Sequence, residues 1–326
     1  MNLPYTMRLL CLCCASFFMV HVALALAARL SAGTAVRIAE HLKPSSAARF
    51  LFGLRMLPVV LALLAVLAFC IPSYLWLEPE ASGEKVGFVC VLMAVLGITV
   101  WMPSLVRVIG ALRGTSRYLD HCERQARKIK VPGESAPALL LTDQAPVLAV
   151  AGVFRPKLLI SRRVMHGLSP EQREAALRHE RAHRQSGDNF KRLLIMLAPD
   201  AIPFAGTFGK LDSAWSKFTE WAADDWAAEG DPQRAVSLAA ALVRVARMGS
   251  KPRPSFLSCS LVGSAQDLSQ RVDRLLRPQP KPGKPVREIL SVVTSAGALI
   301  ASAVAIVVLW PNSLSLVHQA LERLVR

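Results

Sequence analysis

Apolar residues in this chain are gathered into runs rather than spread along it. Four runs are long enough to cross a hydrocarbon core of ~30 Å, which takes about 20 apolar residues in a helix. They cover roughly Leu9–Ala28, Met56–Leu77, Val86–Gly110 and Ile289–Trp310. Residues 111–288, between the third and fourth runs, have the mixed composition of a water-soluble domain. The pattern therefore predicts a mainly α membrane protein. Three transmembrane helices fill 1–110, an α+β domain occupies 111–288, a fourth helix covers 289–310, and 311–326 form a short tail. Arg8, the apolar run after it and the small residues of Ala23–Ala28 also fit a cleaved signal peptide. The length of the run, and the second run that follows closely, favour a hairpin of two spans.

Inside the soluble segment the pattern is finer. Arg113–Lys130 reads as a polar, basic helix leaving the membrane, broken by Val131-Pro132-Gly133. Ala138–Leu141, Val147–Val150 and Lys157–Ser161 are apolar runs of strand length and predict a small sheet or hairpin. A helix start follows. Ser169 is a good N-cap, Pro170 suits the first helical position, and Gln172 completes a capping box. That helix continues over Glu171–Gln185 and stops at Gly187. Asp188 is positioned to cap the next helix, Asn189–Leu197. The broken apolar patch from Leu193 to Phe208 reads as core. Further helices are expected over Leu211–Ala228, Gln233–Met248 and Gln266–Leu276. Arg277–Pro285, rich in proline and lysine, links to the last span.

Charge adds topology. The net charge is +16 over 326 residues. Arg29, Arg37, Lys43, Arg49 and Arg55 lie between the first two apolar runs, against Glu40; Glu78, Glu80 and Glu84 lie between the second and third, against Lys85. Excess lysine and arginine stays on the cytoplasmic side. The first connection and the soluble segment are therefore expected inside, and both termini outside. Arg277, Lys281, Lys284 and Arg287 before the last run agree. Basic loops beside anionic headgroups account for the charge, and no nucleic-acid motif is present. Of seven cysteines, Cys11, Cys13, Cys14, Cys70 and Cys90 fall within spans and read as small apolar packing residues. Cys122 and Cys259 are isolated, and no Cys-x-x-Cys pair is present in the soluble part.

The candidate chemistry lies on the best-marked helix. His179 and His183 are four residues apart, so both imidazoles share one face and can reach one ion. Glu180, beside His179, can act on a water at that ion. This is the His-Glu-x-x-His arrangement of zinc peptidases. Two histidines and one further ligand leave a position open, as a catalytic zinc requires. The extended pattern with a third histidine fails, because Ser186 and Asn189 occupy the needed glycine and histidine positions. A carboxylate on a later helix is expected instead. Glu220 is the best candidate, with Asp224 one turn on to accept a hydrogen bond from a ligand histidine. Asp225 and Glu229 are nearby decoys. Trp215, Phe218, Trp221 and Trp226 are expected to dock this helix against the histidine helix. Arg271 and His166 are candidates for stabilising an oxyanion or contacting substrate. An extended substrate is expected to pair with an edge strand near Val147–Gly152 or Lys157–Ile160.

These residues carry a resemblance. His179-Glu180-Arg181-Ala182-His183, then Asp188-Asn189, then Glu220-x-x-x-Asp224, resembles the integral-membrane zinc peptidases of the β-lactam sensor-transducer type. Gly152–Ile160 is similar to the strand segment those proteins place before the metal helix, and Gln270–Leu276 to their late arginine-containing helix. More remotely, the chain is similar to prenyl-protein and heat-shock membrane peptidases. The resemblance implies a gluzincin-like domain and one zinc ion held by His179, His183 and Glu220, with Glu180 as base and Asp224 behind. It also implies a bacterial inner-membrane location with the peptidase facing the cytoplasm. The implied substrate is a transcriptional repressor or the peptidase itself. The transducers carry an extracellular penicillin-binding sensor after the last span. This sequence runs sixteen residues past Trp310, so antibiotic sensing is not carried over.

Two other classes compete. A signalling scaffold with a vestigial zinc site has no use for a base at Glu180. A transporter needs ionisable groups within its spans, and His21 is nearly the only one.

Overall fold

The computed structural model describes residues 4–77, 86–132, 136–142, 146–200, 206–249, 258–260 and 265–277, with Gln319. The expected fourth span, the tail and the basic linker before that span lie outside the described residues. Among the described residues, three helices are long and apolar enough to cross a membrane. The first is α1 (Tyr5–Glu40). The second is α2 (Pro44–Ala65), continued through a π-turn at Val66–Cys70 into α3 (Ile71–Leu77). The third is α4 (Phe88–Gln125).

All three outrun the bilayer. At 1.5 Å per residue, the 36 residues of α1 and the 38 of α4 reach well over 50 Å, against a hydrocarbon core of ~30 Å. The basic stretch expected as a loop between the first two spans is mostly helix. Only His41-Leu42-Lys43 separates α1 from α2. The polar helix expected over Arg113–Lys130 is the continuation of α4 and ends at Gln125. Arg127–Ile129 is strand β1 instead.

The soluble part is built on these protruding ends. Strands β1, β2 (Ala138–Leu141), β3 (Leu148–Ala151), β4 (Lys157–Ser161) and β5 (Ser258–Ser260) form one sheet in the order β1-β2-β4-β3-β5. Only the β2–β4 pair is parallel. The three central strands, β2, β4 and β3, are apolar at nearly every position because both of their faces are covered. Leu139, Leu141, Ala151 and Leu159 pack with Tyr118, Leu119 and Cys122 of α4. Ala138, Leu148, Val150, Leu158 and Ile160 face a core shared with α6 (Pro170–Ser186) and α9 (Pro232–Arg247). Lys157 pairs with Glu123, which ties β4 to α4 at the surface.

The sheet order corrects one expectation. Neither β3 nor β4 is an edge strand. β4 lies between β2 and β3, and β5 covers the other side of β3. A substrate strand has no free edge there.

A short helix, α5 (Arg162–Gly167), leads into α6. The remaining helices are α7 (Asp188–Leu197), α8 (Gly209–Ala228) and α10 (Ala265–Leu276). α8 lies against the membrane helices. Leu211, Ala214, Trp215 and Phe218 pack on an alanine row of α1 (Ala25, Ala28, Ala32, Ala35, Ala39) and on Ala47 and Leu51 of α2. Small residues let helices approach closely and leave room for the bulky side chains of α8. Trp215 and Phe218 thus dock α8 onto the spans, not onto the histidine helix as expected. α7 is buried against α4 through Leu193, with Met196 and Leu197 beside it. Of the apolar patch Leu193–Phe208, Leu193, Ile195, Ala198 and Phe208 are buried in core, and 201–205 lie outside the described residues.

Candidate metal centre

The histidine helix starts and stops as its sequence predicts. Ser169 Oγ accepts from the Gln172 N–H and the Gln172 side chain accepts from the Ser169 N–H, closing the capping box. Gly187 ends α6 in the left-handed region at φ 66°. The buried face of α6 carries Ala175, Ala176 and Leu177 into the core, and His179, Glu180 and His183 beyond them. All three are at most 2% exposed.

The two imidazoles meet through their Nε2 atoms, 3.1 Å apart. Each ring's other nitrogen is directed at a carboxylate. His183 Nδ1 donates to Asp188 Oδ2 at 2.8 Å. His179 Nδ1 stands 2.9 Å from Asp224 Oδ1, close enough to give its proton there although off the hydrogen-bond line. A carboxylate only accepts, so both protons reside on Nδ1, and two Nε2 lone pairs converge on one point. The Glu220 carboxylate completes the triangle, 3.5 Å from His179 Nε2 and 3.6 Å from His183 Nε2. A tetrahedral zinc with bonds of 2.0–2.1 Å sets its ligand atoms roughly 3.3 Å apart. The donor set fits such an ion in kind and in spacing. Among the described residues, these three side chains form the group able to hold a metal.

Electrostatics holds the carboxylates ionised. Burial alone would raise Asp224, but the charge and hydrogen bonds of Arg271 and the contact with His179 hold it down at about 2. Glu220 likewise sits well below the ordinary range: burial opposes, and His183 and Arg271 prevail. His179 is raised, because Asp224 and Glu220 outweigh its burial. Glu180 differs. Burial pushes it up to about 7. Its Oε2 accepts from Val150 N–H on β3 at 3.0 Å, while Oε1 has no hydrogen-bond partner.

Arg271, from α10, is buried within the site. Its Nε and Nη2 grip both oxygens of Asp224, at 2.8 and 2.7 Å, and Nη1 lies 3.0 Å from Glu220 Oε2. Its donors face the two carboxylates, with Nη2 also 3.4 Å from His179 Nε2, so in this arrangement it clamps the ligand helix against the histidines. His166 is exposed on α5 and is not brought to the site. The decoys are engaged elsewhere: Asp225 pairs with Arg274, and Glu229 with Arg178 and Arg234. Trp226 is partly exposed beside Arg178 of α6.

Two residues of the site had no assigned role in the sequence. Asp188, expected as a helix cap, makes no capping bond and orients His183 instead. Asn189 Nδ2 donates to the carbonyls of Val150 and Gly152, at 3.0 and 2.8 Å, and so fixes the strand that holds Glu180. Their signals were adjacency, directly after the helix stop, and their place in the motif that carries the resemblance; neither says what the side chains do at the metal. A cleft of about 340 Å³ opens beside the ligands, lined by Ser213, Ser216, Lys217, Glu220 and Trp221 of α8 and by Asp267, Gln270 and Arg271 of α10.

A His-Glu-x-x-His helix, a carboxylate from a second helix and three membrane-type helices define a membrane metallopeptidase class. Within that class, the family model described as BlaR1 peptidase M56 matches residues 85–275, more than half of the chain, and the chain belongs to this family. No curated protein and no solved structure matches it.

Proposed function

We propose that this chain is a zinc metalloendopeptidase of the bacterial inner membrane that cleaves a cytoplasmic or membrane protein in a signalling pathway. One observation carries the reading. Two buried Nε2 lone pairs face each other at 3.1 Å with both Nδ1 protons committed to carboxylates. Either a shared proton or a metal ion must relieve that contact, and the Glu220 carboxylate 3.5 and 3.6 Å from the two Nε2 atoms, the third ligand of a zinc site, favours the metal.

His179, His183 and Glu220 would hold the ion. Zinc bound there supplies Lewis acidity, making water more acidic and polarising a scissile carbonyl. The residues around it do the rest. Glu180 is anchored at one oxygen by Val150 and presents the other to take a proton from the attacking water and deliver it to the leaving amine. Asp188 and Asp224 fix the imidazole tautomers. Arg271 keeps Glu220 and Asp224 charged and aligned. The cleft beside Glu220 and Arg271 has room for a substrate side chain.

Arg29, Arg37, Lys43, Arg49 and Arg55, on the domain side of α1 and α2, support a cytoplasmic catalytic face. The protein substrate is a repressor or the chain itself. The backbone of Ser258–Ser260, lying antiparallel on β3 beside Val150, supports the second of these.

Comparing new protein N-termini in cells carrying wild type and Glu180→Gln tests the reading. Cleavages that require Glu180 are expected and would name the substrate. Identical processing in both strains would refute it. Metal analysis should find one zinc per chain in the wild type and in Glu180→Gln, and none in His179→Ala.

A further inference from the structure

Arg55 projects from α2 and is 3% exposed. A guanidinium so buried must have its donors satisfied. Its Nε donates to Asp212 Oδ1 at 3.1 Å. Its Nη2 donates to the carbonyls of Ile195 and Ala198, at 3.3 and 3.0 Å, and lies 3.6 Å from Asp200. Its plane rests on the Phe208 ring, 4.0 Å from the centroid.

The partners belong to two helices. Ile195 and Ala198 carry terminal carbonyls of α7, which have no acceptor role left inside the helix. A cation there also suits the negative end of the helix dipole. Asp212 lies in the first turn of α8. The same two helices complete the metal centre. α7 begins at Asp188, which orients His183, about 10 Å along the axis from Ile195. α8 carries Glu220, about 12 Å along from Asp212, and Asp224 one turn further. One side chain of the second membrane helix thus holds both.

We propose that Arg55 is a positioning residue that sets the metal centre's geometry from within the membrane anchor, by fixing α7 and α8 to α2. Displacement of the second span is then felt at His183 and at Glu220 together. The inference rests on the metal site proposed above. Lysine cannot substitute, because a single ammonium cannot engage Asp212 and two carbonyls in a plane.

The test uses the full chain in lipid nanodiscs. Zinc affinity is measured by chelator competition, and the visible spectrum of the cobalt(II) form reports ligand geometry. Arg55→Ala should weaken zinc binding about tenfold or more, in the range seen when outer partners of metal ligands are lost, and should change the cobalt spectrum. Arg55→Lys should recover little. Arg107→Ala, which removes only a half-exposed arginine 3.6 Å from Asp200, should change neither. Weakened zinc binding with an unchanged cobalt spectrum in Arg55→Ala would mark a general loss of stability and overturn the positioning role. If Arg55→Ala fails to fold, Asp212→Asn carries the test, with a smaller change of the same sign. Wild-type affinity and an unchanged cobalt spectrum in Arg55→Ala, or in Asp212→Asn where that stands in, overturn the proposal and leave the metal site intact. A wild type that binds no zinc sinks the metal reading, and this one with it.

Discussion

Asp188 holds His183 from the first turn of the following helix, Oδ2 to Nδ1 at 2.8 Å. The left-handed Gly187 turns the chain between them. Asp188→Ala should leave the fold intact but free the ring, and lower zinc affinity by about 10–100-fold. Chelator competition on the purified protein checks this.

A pair of substitutions separates stability from metal binding. Ser169→Ala removes the cap at the far end of α6 and should cost about 1 kcal/mol of stability with zinc affinity unchanged. Gly187→Ala forces a side chain into the left-handed region, at about 1–2 kcal/mol, and also disturbs the turn that delivers Asp188. It should lower zinc affinity as well. Thermal unfolding and metal titration, read together, distinguish the two.

Removing Arg271 leaves Asp224 and Glu220 as buried carboxylates without their shared cation. Arg271→Ala should destabilise the metal-free protein by about 3–5 kcal/mol. Arg271→Lys should recover only part, since an ammonium cannot match the paired contact with Asp224. Zinc should narrow the deficit in both variants, because the ion neutralises Glu220. Thermal unfolding with and without chelator reads all three.

Metal-free protein should also report Glu180 through pH. Its folded value is raised to about 7 from an ordinary 4.5. A raised value means that the neutral form suits the fold. The contribution of Glu180 to stability is therefore present in full below about 4.5 and is lost as pH rises through about 7. Glu180→Gln carries no such titration. Relative to wild type, the variant should gain on the order of 3 kcal/mol as pH rises across that window. A stability difference that stays constant from pH 4 to 8 would contradict the buried position of the carboxyl. Asp224 runs the opposite way: held at about 2, its stabilisation is present above the ordinary aspartate range and fades as pH falls through 2.

Much of this was legible in the sequence because the signals are local. The capping box and Gly187 bound α6, and the spacing of His179 and His183 puts both on one face. Glu220 and Asp224, one turn apart on a later helix, are brought to those histidines as the spacing suggested. The strands β2, β3 and β4 stand out because both of their faces are buried; β1, Arg127–Ile129, is polar and reads as part of the preceding helix. What was not legible depends on distant partners. Arg29–Arg55 looks like a basic loop because its charges mask a helical face that packs on α8 through alanines and Leu51. Asp188 looks like a cap because its partner lies behind it, across a turn. Trp215 and Phe218 face the alanine row of α1, and an alanine row inside an apolar run gives no hint that it receives a second domain. The strand β5 comes from a segment more than a hundred residues after β3, so its covering of that strand could not be read from either alone.

The third membrane helix has a consequence for biogenesis. α4 is long and apolar enough to cross the bilayer, and its C-terminal part is one of the two layers that close the sheet. The catalytic domain therefore has no boundary at the membrane surface. A fragment beginning after Gln125 would leave Leu139, Leu141 and Leu159 facing water, and should aggregate or stay unfolded. The sheet has its second wall only once α4 is folded against it, so the metal centre built on that sheet is completed only after the third membrane-type helix has formed.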